Sequence, residues 1–215
     1  MERVMEKPLK LIAVDGPIGS GKTTLVKMLA EDFRGNAVFE PVQNNPFLPE
    51  FYKDRKRNAF KTQVYFLLNR YQQQCEIKKH ENSDSLVICD YTFLKDAIFA
   101  EINLSDDERK LYQTIFNLLK ANLPTPDIVI YLRADSKVLS QRIKKRGIDY
   151  ERSINEAYLS ALTDAYDSFF LNYKETPLLV VDTSSVNYPD NPEDYENLKR
   201  EILNHRGGTV HLIAR

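Results

Sequence analysis

The segment Gly16-Pro17-Ile18-Gly19-Ser20-Gly21-Lys22-Thr23-Thr24 constrains this chain more than any other. It lies directly behind the apolar run Leu9 to Val14 and ahead of Leu25, Val26, Met28, Leu29 and Phe33, which recur at helical spacing. Glycine, four residues, glycine, lysine and threonine between a buried strand and a helix read as a phosphate-binding loop. Glycines let the backbone take positive φ and approach an anion with no Cβ in the way. The freed N–H groups converge on phosphate oxygens at the positive end of the helix that follows. Lys22 adds a mobile charge for terminal phosphates, and the Thr23 hydroxyl is a ligand for Mg²⁺. The spacing alone is a modest signal; the strand before it and the helix after it sharpen it. Such a chain is expected to bind a nucleoside triphosphate along Gly16 to Thr24.

Length and charge narrow the rest. The 215 residues suit a single domain over 1–215 with at most a small lid. Lys and Arg number 30 against 31 Asp and Glu, so no large basic face is implied and nucleic acid is not an expected partner. No apolar run approaches the roughly 20 residues that cross a bilayer. The N-terminal MERVMEKPLK is too polar and short for a signal peptide. Cys75 and Cys89 make no disulfide framework, and there is no Cys/His cluster for structural zinc. A soluble, cytoplasmic enzyme with no membrane partner is the expectation.

Short apolar strands at Ala37 to Phe39, Ser85 to Cys89, Asp127 to Leu132 and Leu178 to Val181 alternate with helical stretches. The stretch Phe51 to Lys79 reads as helical with a break near Asp54 to Asn58, and Phe60, Val64, Leu67, Leu68 and Tyr71 share one face of its second part. Ser105 opens a helix, Gly147 ends one, and the tail Thr209 to Ile213 alternates weakly. The pattern predicts an α/β, three-layer fold of the phosphate-loop type, with a five-stranded parallel sheet, helices on both faces and a small helical lid. Right-handed crossovers put every strand's C-terminal end on one edge, where ligands bind. Glu40, Asp90 and Asp182 should therefore cluster around the phosphate loop.

A series of segments in this order resembles the deoxyribonucleoside kinases, in particular their bacterial deoxyadenosine/deoxyguanosine branch. It comprises GPIGSGKTT, FEPV at 39–42, Gln63 with Arg70, DYTFLKD at 90–96, and RIKKRG at 142–147 followed by Glu151. The resemblance runs from about Leu9 to Asp182 and implies ATP as phosphoryl donor, Mg²⁺, a deoxynucleoside as acceptor and a homodimer. It makes Glu40 the general base for a sugar 5′-hydroxyl and Asp90 a second holder of Mg²⁺ beside Thr23. Gln63 and Arg70, two helical turns apart, would meet the base, with Arg70 also paired to Asp96. Tyr52 and Glu151 would meet the sugar 3′-hydroxyl, and Phe99 would stack on the base. Arg142 and Arg146, one turn apart in a lid over about 142–153, would clamp the transferring phosphate, with Lys22 completing the catalytic set.

One departure concerns charge. Where the family carries an arginine beside the acceptor hydroxyl, this chain has Tyr91, which can still donate a hydrogen bond. Lys95 or Arg152 would have to replace the charge. Two other readings compete. A thymidylate-type monophosphate kinase would want a fixed arginine for the acceptor's phosphate, which Tyr91 does not supply. A nucleotide-dependent switch would give Gln63, Arg70, Tyr52 and Glu151 no reason to converge.

Overall fold

The computed structural model describes residues 8–80 and 85–213. Residues 1–7, on which the reading of the N-terminus largely rests, lie outside them. Strand β1 (Leu11–Asp15) is buried along its whole length, as a strand covered on both faces must be. It pairs in parallel with β3 (Val87–Cys89) on one side and β4 (Ile128–Arg133) on the other. Beyond β3 lies β2 (Asn36–Val38), and beyond β4 lie β5 (Leu178–Asp182) and β6 (Thr209–Leu212). The order is β2-β3-β1-β4-β5-β6, and all pairs are parallel.

The sheet thus has six strands among the described residues, which corrects the expected five. The added member is the alternating tail. Val210 and Leu212 are half-buried while Thr209 and His211 are exposed, the pattern of an edge strand packed on one face only.

Side chains divide between two layers of helices with the period of two that a strand imposes. Ile12 and Val14 join Ile130 and Leu132 under α1 (Lys22–Asp32) and α8 (Pro192–Asn204), against Leu25, Leu29, Leu198 and Ile202. Ala13, Val129 and Tyr131 point the other way, onto α4 (Lys95–Asn103) and α7 (Glu156–Leu171) through Ile98, Leu162, Tyr166 and Phe170.

The helical stretch after β2 is two helices, α2 (Leu48–Lys53) and α3 (Arg55–Lys79). Asp54 is extended between them, and its carboxylate accepts from the Arg57 N–H at 3.2 Å, capping α3. The apolar face expected on α3 is only partly inward: Leu67 is buried, but Leu68 is 45% exposed. What α3 buries instead includes a polar set, Asn58, Thr62, Gln63, Arg70 and Gln74. Buried polar groups need partners, so this face must border a hydrogen-bonded site. Helix α5 (Asp106–Lys120) opens at Ser105, whose N–H and hydroxyl both donate to the Glu108 carboxylate at 3.0 and 2.8 Å. Helix α6 (Ser136–Arg146) stops at Gly147, whose φ of 72° is the left-handed stop that glycine adopts freely. A 3₁₀ turn over Asp149–Ser153 leads from there toward α7, whose N-cap Asn155 accepts from the Tyr158 N–H.

The phosphate loop leaves β1, Glu40 follows β2 and Asp90 follows β3, all at the C-terminal edge. Strands β2 and β3 lie to one side of β1 and β4 to β6 to the other, so this edge is a topological switch point.

Candidate active site

A cleft of about 1030 Å³ opens at that edge. Its floor is Ile18 to Thr24, its walls come from the segment after β2 and from α2, α3 and α4, and its rim from α6 and the 3₁₀ turn. Gly16 and Pro17 lie below the floor. Glycine is required at both ends of this loop: a Cβ on Gly16 (φ 151°) would meet the Leu132 carbonyl oxygen at 2.5 Å, and one on Gly21 (φ 101°) would meet the Tyr188 hydroxyl at 2.4 Å. The Lys22 ammonium donates to the Gly16 and Pro17 carbonyls at 2.8 and 2.9 Å. Burial and then the charge of Lys95 bring its pKa down to about 8.

Beneath the floor lies a residue the sequence reading missed. Asp15 is fully buried and accepts from Gly16 N–H (2.7 Å), Tyr166 hydroxyl (3.1 Å), and Thr92 N–H and hydroxyl (3.0 and 2.5 Å). It ties the phosphate loop to the segment after β3. The available signal was a carboxylate closing an apolar strand directly before the first glycine of the loop.

Thr23 and Asp90 meet: the threonine hydroxyl donates to Asp90 Oδ2 at 3.1 Å. Asp90 Oδ1 accepts the Glu40 N–H at 2.7 Å, which sets the second strand's carboxylate beside the third's. Burial holds Asp90 above the usual carboxylate range. Among the described residues no group of three or more His, Cys, Asp or Glu can hold a metal. Thr23 and Asp90 set two hard oxygens side by side at the phosphate loop. That pair of oxygens would suit Mg²⁺.

Glu40 lines the cleft with a nearly buried side chain, 6% exposed. Arg70 Nη2 donates to its Oε1, and Lys95 Nζ to its Oε2 at 2.7 Å. Burial by itself would raise the carboxyl, but the charges of Arg70 and Lys95 outweigh it and hold the pKa at about 2. Arg70 Nη1 also donates to Asp96 Oδ1, which accepts the Tyr112 hydroxyl at 2.9 Å. Gln63 Nε2 reaches the Asp96 backbone carbonyl at 3.4 Å. Gln63, Arg70 and Asp96 thus converge, and Arg70 Nε and Asp96 Oδ2 remain buried without a hydrogen-bond partner.

At the rim, Arg146 grips Glu151 with Nη2 at 2.6 Å and Nε at 3.1 Å, and Tyr150 stacks on Tyr52 with ring centroids 5.9 Å apart. Arg142 donates to the Thr183 hydroxyl and carbonyl at 2.9 and 2.7 Å. Phe99 lines the cleft, with the Lys95 ammonium 5.7 Å from its ring centroid. The sequence reading also missed the segment Thr183 to Asp190, which lines the cleft beside α6, where Thr183 meets Arg142. Nothing periodic marks such a loop.

Besides Gly16 and Pro17, three predicted residues do not line the cleft: Asp96, fully buried behind Arg70, Asp182 and Tyr91. Asp182 turns away: its carboxylate accepts the Ser184 N–H at 2.9 Å and shapes the turn after β5, while Thr183 beside it faces the site. Tyr91 is fully buried and lines a separate cavity of about 80 Å³ beside Gln74, so the expectation of a catalytic hydroxyl there is corrected. Side chains alternate along the extended chain after β3, so with Asp90 facing the loop its neighbour points under the sheet. Of the cations expected to compensate, Arg152 is 75% exposed and paired with Asp149, whereas Lys95 is in the cleft.

The deoxynucleoside kinase family model matches residues 12–206. The chain belongs to this family. A deoxyguanosine kinase of Bacillus subtilis is 36% identical over 196 residues, covering 89% of this chain and 95% of its own. A deoxyadenosine kinase of Lactobacillus acidophilus is 28% identical over 208 residues, covering 90% and 95%. The structure of deoxyadenosine kinase from M. mycoides with bound dATP superposes with a TM-score of 0.79 at 31% identity, over 91% of this kinase and all (100%) of that chain. The chain is thus a deoxynucleoside kinase, an enzyme that phosphorylates a deoxynucleoside, and the fold is the one its relatives share. No helix among the described residues of the kinase is long and apolar enough to cross a membrane.

Proposed function

We propose that this kinase transfers the γ-phosphoryl group of ATP to the 5′-hydroxyl of a purine deoxynucleoside, with Glu40 as general base. The observation that carries the reading is that Glu40, Lys22 and the Thr23–Asp90 pair line one cleft, with the Gln63–Arg70–Asp96 cluster directly beside Glu40. Gly16 to Thr24 cradle the donor's phosphates, with Lys22 exchanging its loop carbonyls for phosphate oxygens. Thr23 and Asp90 would hold Mg²⁺, which neutralises charge on the phosphates when bound. Arg142 and Arg146 act from a lid over 142–153, over a single domain.

The acceptor lies between α3 and the lid. Arg70 and the Gln63 amide, which line the cleft, would offer donors and an acceptor to a base edge, with Asp96 holding Arg70 from behind and Phe99 supplying a ring face. Tyr52 and Glu151 meet the sugar's 3′ side. In the transfer, the 5′ oxygen bonds to the γ-phosphorus as the bond to the β-phosphate oxygen breaks, and that electron pair leaves with ADP. The hydroxyl proton passes to Glu40. A carboxyl with a pKa of about 2 is a weak base, but phosphoryl transfer passes through a loose transition state that asks little of the base until the new bond is nearly complete. Glu40 first orients the hydroxyl as an acceptor and then takes its proton late.

Purine preference is supported by the names of the relatives, deoxyguanosine and deoxyadenosine kinases. We also read the enzyme as cytoplasmic and as a homodimer, to which the exposed Leu111 and Leu118 of α5 and Leu68 of α3 would contribute. A coupled assay with ATP, Mg²⁺ and each of the four deoxynucleosides tests the reaction, with thymidylate as a further acceptor. Deoxyadenosine or deoxyguanosine should turn over fastest; turnover of thymidylate alone would replace the reading with a monophosphate kinase.

A further inference from the structure

Lys95 occupies the first turn of α4, 6% exposed, with its ammonium 2.7 Å from Glu40 Oε2. Arg70 holds the other oxygen of that carboxylate but shares its charge with Asp96, so Lys95 is the cation that Glu40 has to itself. Burying a second cation on one carboxylate costs desolvation and sets the two cations against each other. The Lys95 ammonium also lies near enough to Lys22 to be the largest charge acting on that amine. Its place is fixed from below: the Lys95 N–H donates to the Thr92 hydroxyl at 3.2 Å, and that hydroxyl donates to Asp15, the anchor of the phosphate loop. Three cations, Lys22, Arg70 and Lys95, therefore gather at the head of the phosphate loop among the carboxylates Asp15, Glu40, Asp90 and Asp96. Lys22 and Lys95 both line the cleft, so their charge is open to a phosphoryl group passing between donor and acceptor.

We infer that Lys95 is a further positioning and charge-stabilising residue for phosphoryl transfer, fixing the Glu40 carboxylate for the acceptor hydroxyl and carrying positive charge at the acceptor side of the path that Lys22 holds from the donor side. This rests on the reading that Glu40 receives the acceptor hydroxyl. The sequence offers Lys95 only as one of two cations that could stand in for the family's arginine, and the structure sets it, unlike Arg152, against Glu40.

Lys95→Met removes the charge and keeps the apolar stem. Its kcat should fall about a hundredfold, the scale of losing one preorganised donor in a site of this kind. The KM for the deoxynucleoside and the Kd for ATP, measured by direct titration, should stay within about threefold, which separates transition-state stabilisation from binding. Lys95→Arg should recover most of the lost kcat. A kcat for Lys95→Met within about threefold of the parent, or a loss confined to KM, overturns the inference. Should Lys95→Met not fold, Lys95→Arg decides: with ATP affinity intact, kcat within about tenfold of the parent supports the role and a hundredfold loss overturns it. Glu40→Gln in the same series separates the two readings. If it keeps the parental kcat while Lys95→Met loses it, the assignment of Glu40 fails and Lys95 acts as a transfer cation alone; the reverse result rejects Lys95 and keeps Glu40.

Discussion

Arg70 bridges two buried carboxylates, giving Nη2 to Glu40 and Nη1 to Asp96. Both acceptors and the guanidinium are nearly or fully withdrawn from water. The bridge joins the proposed base-recognition cluster on α3 and α4 to the proposed catalytic carboxylate after β2. One side chain thus sets the distance between where a base would be read and where a hydroxyl would react.

Removing it should cost stability as well as activity. Arg70→Met leaves Asp96 with only the Tyr112 hydroxyl and Glu40 with only Lys95. Breaking a buried pair by deleting one partner costs about 3–5 kcal/mol, because the remaining charge stays buried. For a chain of this size that corresponds to a fall in melting temperature of roughly 10 °C. Thermal unfolding of parent and variant checks it, and a shift below about 2 °C would mean that water already screens the bridge.

The same cluster has a signature in acid. The folded-state pKa of Glu40, about 2, lies below its ordinary value of 4.5, so the folded state prefers the ionised form. Its contribution, on the order of 3 kcal/mol, is complete above about pH 4.5 and is lost as pH falls toward 2. Asp96, held up by burial, slopes the opposite way, and less so in the variant, which lacks the Glu40 charge that adds to its rise. Denaturant unfolding of the parent and Glu40→Gln, from pH 7 down to pH 3 and without divalent ions, should show a stability difference that shrinks with acid. A difference that is independent of pH would mean the carboxylate is not held by its cations.

The rim makes a claim about geometry rather than charge. Arg146 uses two nitrogens on Glu151, a fork that lysine cannot reproduce. Arg146→Lys keeps the charge, yet should lower kcat/KM about tenfold by loosening the turn that stacks Tyr150 on Tyr52. Steady-state rates measure this. An unchanged kcat/KM would reduce the pair to a surface contact.

How much of this was legible in the sequence depends on what each residue has to do. Gly16 to Thr24 were readable because the loop's backbone forces glycine at fixed spacing, and Glu40 and Asp90 because each follows an apolar strand whose end must reach the same edge. Thr183 was not, since a hydroxyl after a strand carries no periodic mark, and Lys95 was legible only as one of two candidates with Arg152, because nothing in the sequence tells which cation faces the cleft. Asp15 lay in plain view, but its four hydrogen bonds come from Gly16, Thr92 and Tyr166, residues spread over much of the chain. On α3 the apolar period misled: Leu68 is exposed while Gln63 and Arg70 are buried, because this helix faces a polar site instead of the core. Asp182 misled by analogy with Asp90, although the turn after β5 uses it as a backbone acceptor.

Tyr91 gives the sharpest contrast between sequence and structure. Read from the chain, its hydroxyl donates a hydrogen bond where the family's arginine stands beside the acceptor, and Tyr91→Phe should then cut turnover. In the fold the ring is fully buried, and the hydroxyl lies by Gln74 without a hydrogen bond of ordinary geometry. Burial raises its pKa, so it carries no charge at neutral pH. An unsatisfied buried hydroxyl costs about 1–3 kcal/mol, and replacing it with hydrogen removes that cost while keeping the packed ring. Tyr91→Phe should therefore leave kcat within about twofold and leave stability unchanged or raise it by up to about 1 kcal/mol. Turnover and denaturant unfolding, measured on one preparation, distinguish the outcomes. A large loss of kcat with stability intact would return the hydroxyl to the reaction, and a loss of stability would show that the Gln74 contact is a true hydrogen bond.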